Sequence, residues 1–468
     1  EQTNRIYQQQ VPQVFWRVRY FRDSDAEEFA VLFLATGEFH SFWHSLDERA
    51  PGAKLSKDDA LALAQDWLRA NKHTDFVAWR LVDAKSENPP NRVDHTFVWE
   101  QVTPLAGGPK ADDAAFARME LHVQGNEVSK YRIYVKLPEQ WVRDVEHQSV
   151  VSVLRAVWPF VLLAAMAIFA LVVYFRNLKS AAATSIPWRK LIYCGIFAFI
   201  ASMVSAVCNW PIVLHSYTTD HPLKFFIGLI AIGWIIFGGI VVTGVTFLFG
   251  LGWFFWTRAG SADKVPGWLN RPRNYYRDAL IFTVAGGAAW IGLQKAASLL
   301  SQKIAGPSSG AVSLVRFDSL SPATQSIAGA IFSAFIWSAI VAVLGSLIAQ
   351  YAQSRFVQAI VIVAAAFAEV GSEPNGAAFL AAFAFTILKF YIGWWIIMKI
   401  IRYNLLAYFL FVAALSLFST GTSLIAQPNA YLRNNGVIVI GALVLLLLWP
   451  LAAWLRGSGD PASLPSSS

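Results

Sequence analysis

Cysteine is almost missing from this chain: two residues in 468, Cys194 and Cys208, both in one apolar run. A helix rising ~1.5 Å per residue would hold them ~21 Å apart, beyond the reach of a disulfide. No thiol or thiolate–zinc chemistry is implied, and the pair reads as small packing residues. HExxH and GxxxxGK[ST] are missing too, which removes the commonest zinc-protease and P-loop signatures. No histidine lies in the middle of an apolar run; His215 stands at the end of one. That argues against axial haem ligation. No cofactor and no metal is expected.

A basic excess on the soluble part, the footprint of a nucleic-acid binder, is also lacking. The net charge of +8 divides unevenly. Residues 1–147 carry 18 Lys+Arg against 23 Asp+Glu, a net of −5, and the remainder carries 20 against 7, a net of +13. The excess sits in short loops between apolar runs, so nucleic acid is rejected as a partner and the lipid bilayer is the expected one.

Long apolar runs dominate from Val150 onward. The first, Val150–Lys179, has no charge from Trp158 to Phe175, nearly enough for a helix to cross a ~30 Å hydrocarbon core. Further runs fall near Leu191–Leu214, Phe225–Trp256, Ala279–Leu300, Ile327–Ala349, Phe356–Val370, Ala377–Ile401, Leu405–Ile425 and Gly436–Leu455. That predicts about nine spans, with Phe356–Val370 short enough to be re-entrant. The fold class is thus a polytopic α-helical membrane protein with an N-terminal α+β extracytoplasmic domain. Residues 1–147 form that domain, 150–456 the membrane domain and 457–468 a disordered cytoplasmic tail. Thirteen Lys/Arg gather in the loops on one side, from Arg176 to Arg456, and four on the other: Lys224, Lys303, Arg316 and Arg433. Thirteen to four places the first domain outside and the C-terminus inside a bacterial inner membrane. An exported first domain implies a signal peptide or another span upstream of Glu1.

Within that domain, strands are predicted at Val14–Tyr20, Glu28–Ala35, Glu38–Ser45, Val77–Ala84, His95–Val102, Phe116–Val123 and Glu127–Lys136. A helix is expected from Lys57, with Ser56 as N-cap and Asp59 three residues on. EEFAVLFLATGEFHSFWHSLDE is echoed by FARMELHVQGNEVSKYRIYVKLPE, a weak internal repeat of strand, Gly turn and strand. The pattern is similar to small PepSY-type modules. His40, His44, His73, His95, His122 and His147 are scattered without metal-ligand spacing.

Charged residues inside spans are functional candidates, because lipid makes them costly. They are few: Lys389 mid-run, Lys295 beside Gln294, and Glu369 closing a short run. Glu373 follows Glu369, and Asn209 nears the outer face. Lys295, Glu369 and Lys389 could surround an outward-open polar cavity. The competing reading has Lys295 and Glu369 reaching the interface and Lys389 bonded to a neighbouring carbonyl. Glycines such as Gly228, Gly233, Gly238, Gly239, Gly244, Gly286, Gly287 and Gly292 are expected at close helix contacts.

NRVDHTFVWE (Asn91–Glu100), VRYF (Val18–Phe21), LDERAPGAKLS (Leu46–Ser56) and YVKLPEQWVR (Tyr134–Arg143) resemble the outer domain of long bacterial proteins, notably acidobacterial ones. These are commonly assigned to the CPBP (CAAX-protease and bacteriocin-processing) family of intramembrane proteases. RYNLLAYFLFVAA and QPNAYLRNNG are similar to members of that group as well. The family's signature is a Glu-Glu pair followed by Arg on one span, with histidines on later spans. Here the one Glu-Glu pair, Glu27-Glu28, lies in the soluble domain, so no catalytic residue carries over. The resemblance therefore implies a catalytically silent relative, acting as an accessory or structural subunit of a membrane complex whose outer domain binds a protein partner. Two alternatives are an intramembrane protease with a divergent or missing site, and a small-molecule or ion transporter using the polar cavity.

Overall fold

The computed structural model describes residues 15–34, 36–72, 74–105, 114–139, 142–143, 150–258, 273–305, 318–370, 376–397 and 404–456. The chain divides into two compact units. The first comprises Glu1–Ser149 with Tyr217–Leu229, and the second comprises Val150–Ser216 with Ile230–Ser468.

Alternating apolar and polar residues build the first unit's strands: β1 (Phe15–Phe21), β2 (Glu28–Leu34), β3 (Phe39–Ser45), β4 (Trp79–Glu87), β5 (Asp94–Gln101), β6 (Phe116–Gln124) and β7 (Glu127–Lys136). One helix, α1 (Lys57–Lys72), follows β3. Ser56 caps it: its Oγ accepts from Asp59 N at 3.2 Å and donates to the Asp59 carboxylate at 2.6 Å. The strands pair antiparallel in the order β1-β2-β3-β7-β6-β5-β4. The two hairpins of the internal repeat therefore lie side by side, joined where Phe42 faces Tyr131. Both hairpins turn at a glycine with positive φ, Gly37 at 88° and Gly125 at 63°. At Gly125 a side chain would also meet the backbone N of Ala53 at 3.0 Å.

Ala60, Ala64 and Leu68 of α1 are fully buried against Phe97, Trp99, Met119, Leu121 and Val123. Burying one Leu-sized side chain stabilises by about 2 kcal/mol, so this layer is the unit's core. The segments Leu46–Ser56 and Asn91–Glu100 meet at Arg92. Buried Arg92 pairs with Asp94 at 2.9 Å and donates to the carbonyls of Asp47 (2.7 Å) and Ala50 (3.0 Å). The strand predicted from Val77 begins two residues later. Asp75 accepts from Val77 N at 3.0 Å and turns Phe76–Ala78 into a short 3-10 helix first.

Tyr217–Leu229 packs on β1 and the turn that follows it. Arg19 donates to Tyr217 O at 2.6 Å and pairs with Glu28, while the buried Tyr217 ring lies 5.3 Å from Phe21. Asp23 accepts from Leu223 N at 2.6 Å, a bond that holds its carboxyl below the ordinary range.

The second unit is helical: α2 (Val150–Arg176), α3 (Trp188–Cys208), α4 (Leu223–Arg258, its first turns in the other unit), α5 (Arg273–Ile281), α6 (Gly287–Ala305), α7 (Pro322–Tyr351), α8 (Arg355–Glu369), α9 (Gly376–Ile396), α10 (Leu405–Ile425) and α11 (Ala430–Arg456). A π-turn at Phe282–Gly286 joins α5 to α6. Among the described residues, eight helical segments are long and apolar enough to cross a membrane, where nine were expected. The difference is α8, whose 15 residues span ~22 Å at ~1.5 Å each. Buried side chains tie α2, α3, α4 and α7 together, and others tie α7, α10 and α11. Asn435 of α11 caps α7 by accepting from Ala323 N at 3.0 Å, which satisfies an otherwise orphan helix-end donor.

Candidate functional site

Two of the three predicted intramembrane residues meet. Lys389, midway along α9, forms an ion pair with Glu369 at the end of α8. Its Nζ also lies 4.5 Å from the ring centroid of Trp290 on α6 and 5.8 Å from that of Phe390. The Lys389 side chain is 11% exposed and that of Glu369 43%. An ammonium among apolar helices requires a counter-charge, and an indole face adds further attraction. The lysine's charge is met by the carboxylate and the ring. Lys295 is exposed on α6 and has no ion pair among the described residues. Glu373 lies outside the described residues. Asn209 accepts from Gln325 Nε2 at 2.6 Å, a contact between helix ends.

A cavity of about 430 Å³ is lined by Trp158, Phe356, Ile360, Val363, Phe367 and Phe383. Its walls are apolar. The indole N–H of Trp158 is already donated to Ala364 O at 3.1 Å, so it offers nothing to a polar solute.

In the first unit, Glu27 and Glu28 separate. Glu28 pairs with Arg19, and Glu27 accepts from His44 Nε2 at 2.9 Å, while His44 Nδ1 bonds Glu127 at 2.9 Å. The buried His44 ring stacks on Phe29 with 3.8 Å between centroids. His40 stacks on Phe15 instead, at 4.5 Å, and burial followed by nearby Lys72 lowers its pKa. Among the described residues no three His, Cys, Asp or Glu side chains gather as metal ligands.

The sheet face opposite α1 carries a charged ladder that the sequence reading passed over. Glu120 pairs with His122 (2.7 Å), Lys130 (3.0 Å) and Arg132, and Glu100 with Arg80 (2.6 Å) and Arg118 (2.8 Å). Burial would raise both carboxyls, but these bonds override it and hold both below the ordinary range. Trp290 was missed as well, since a search for charge does not find an aromatic counter-partner. Strand alternation could have found the ladder: Arg118, Glu120 and His122 share one parity. A scan against family models found no match, and neither curated proteins nor solved structures match this chain.

Proposed function

We propose that this chain is a catalytically silent accessory subunit of a bacterial inner-membrane complex, with its sheet domain outside the cytoplasm and bound to a partner protein. The observation that carries this reading is the apolar surface left open on the first half of the sheet. Trp16, Tyr20 and Phe29 are 48%, 64% and 42% exposed on one face. Large exposed aromatic clusters on a soluble domain mark interaction sites. The silence is supported by the Lys389–Glu369 pair, because a carboxylate neutralised by a lysine is a poor base for activating water. The kinship with CPBP-type proteases rests on the sequence segments alone, and the orientation rests on the loop charges.

The test is the native mass of the gently solubilised protein, with mass-spectrometric identification of what co-purifies. A stoichiometric second polypeptide is expected. A lone monomer or homodimer would sink the reading. Cleavage of a membrane substrate that disappears in Glu369→Gln would replace it with the protease alternative.

A further inference from the structure

The two halves of the sheet are related by an approximate two-fold axis at the β3–β7 junction. Aligning the turn glycines Gly37 and Gly125 matches Val31 with Met119 and Phe33 with Leu121. The neighbouring strands follow: Trp16 faces Phe33 as Phe97 faces Leu121, and Val18 faces Val31 as Trp99 faces Met119. In the second half these positions lie under α1 and are at most 3% exposed. In the first half no described element covers them, and Trp16, Val18 and Tyr20 are open. The same apolar pattern has a helix on one side of the axis and none on the other.

The charges at the rim indicate which end of a helix belongs where. The last residue of α1, Lys72, donates to the carbonyls of Phe39 (2.9 Å) and His40 (3.3 Å), at the start of β3. The two-fold axis carries that corner to the start of β7, where Glu127 and Glu27 flank His44 with side chains 55% and 43% exposed. A helix lying on the open half in the α1 manner would end at these two carboxylates. A basic last turn would meet them, as would be favoured at any helix C-terminus.

We propose that the open half of the sheet seats an amphipathic helix of the partner protein, with apolar residues at helical spacing and Lys or Arg in its last turn. This rests on the reading that the domain binds a protein partner. A second copy of the chain fits poorly. Its own α1 is already committed, and antiparallel β1–β1 pairing about Val18 would set Arg17 against Arg19, a like-charge pair, while leaving the apolar face open.

The experiment places a photo-crosslinking amino acid at Tyr20 in the full chain in its native membranes. The same amino acid at Leu81 of β4, 42% exposed, serves as control. The expected product joins Tyr20 to one segment of another polypeptide with apolar residues three and four apart and a basic last turn. Glu27→Lys with Glu127→Lys should cut its yield at least tenfold, and reversing the partner's basic residues should restore it. Because both carboxylates hold His44, a second variant is needed. Tyr20→Asp, at an exposed position, should lower partner co-purification tenfold with an unchanged melting temperature.

Crosslinks from Tyr20 only to lipid, to the same chain, to a second copy or to a segment of alternating strand pattern would overturn the proposal. So would a yield no higher than at Leu81. If a partner co-purifies but crosslinks from Lys130 on the charged face and not from Tyr20, the accessory role stands and the helix seat falls. If the chain purifies alone, the accessory role itself fails.

Discussion

Glu120 shows how one buried carboxylate is made compatible with a sheet surface. It is held by three donors, and its ionised form is stabilised relative to the unfolded chain. A carboxyl whose pKa is depressed on folding contributes stability above its unfolded value of about 4.3, and that contribution is lost as pH falls through the folded value. Glu120→Gln should therefore cost about 2 kcal/mol at pH 7, the scale of charge-assisted hydrogen bonds. It should also flatten the acid limb: between pH 5 and pH 3 the melting temperature of the variant should fall less than that of the wild type. Lys389 and Glu369 present the same logic in an apolar setting. Glu369→Gln alone leaves the ammonium without its counter-charge. Adding Lys389→Met removes the stranded charge, so the double variant should melt higher than the single one, with a coupling of ~1–2 kcal/mol. Partner binding should survive in the double variant, and its loss with folding intact would contradict a silent membrane domain.

At the scale of elements, helix contacts are set by individual small residues. A Cβ on Gly436 of α11 would lie 2.7 Å from Ile425 N and 2.9 Å from Gly421 O, both backbone atoms of α10. Gly441, in the same helix, has nothing within 4 Å of the corresponding point. Gly436→Ala should therefore destabilise by about 1–3 kcal/mol through overpacking. Gly441→Ala should be neutral or slightly stabilising, since Ala is the better helix former. Thermal unfolding in detergent checks both. The glycines expected from the sequence at helix contacts behave differently: Gly228, Gly233, Gly239, Gly244 and Gly292 have no neighbour within 4 Å, whereas Gly238 abuts Phe199. Glycine content was legible, but which face a helix turns to its neighbour was not. The strands show the same division. Their positions follow from local alternation and turn residues, so Glu127–Lys136 emerges with its ends intact. The β3–β7 junction depends on residues almost ninety positions apart, and no local pattern announces it. Of the candidate site, Glu369 and Lys389 were legible because charge in an apolar run is conspicuous. Their pairing and the role of Trp290 depend on how α6, α8 and α9 meet.

For the whole molecule, the number of crossings decides which side each end of the chain occupies. If α8 crosses, nine spans put the sheet domain and the C-terminus on opposite sides, and if it does not, eight put them on the same side. The helix is ~22 Å long against a ~30 Å core, so length alone argues against crossing. Loop charge argues for it, because only an odd count keeps Lys399, Arg402 and Arg456 with Arg176, Lys179 and Arg355 on one face. A shortfall of this size is met by local thinning of the bilayer at a fraction of a kcal/mol per ångström, and crossing keeps those three cationic positions on the basic side. Asn429, exposed between α10 and α11, separates the cases. With Cys194 and Cys208 replaced by Ala, Asn429→Cys should react with a membrane-impermeant maleimide in intact spheroplasts. Asp220→Cys should react as the outer control, and Ser354→Cys should react only after lysis. Protection of Asn429→Cys alongside labelling of Asp220→Cys would mean that α8 returns to the side it came from, and would move the C-terminus outside with it.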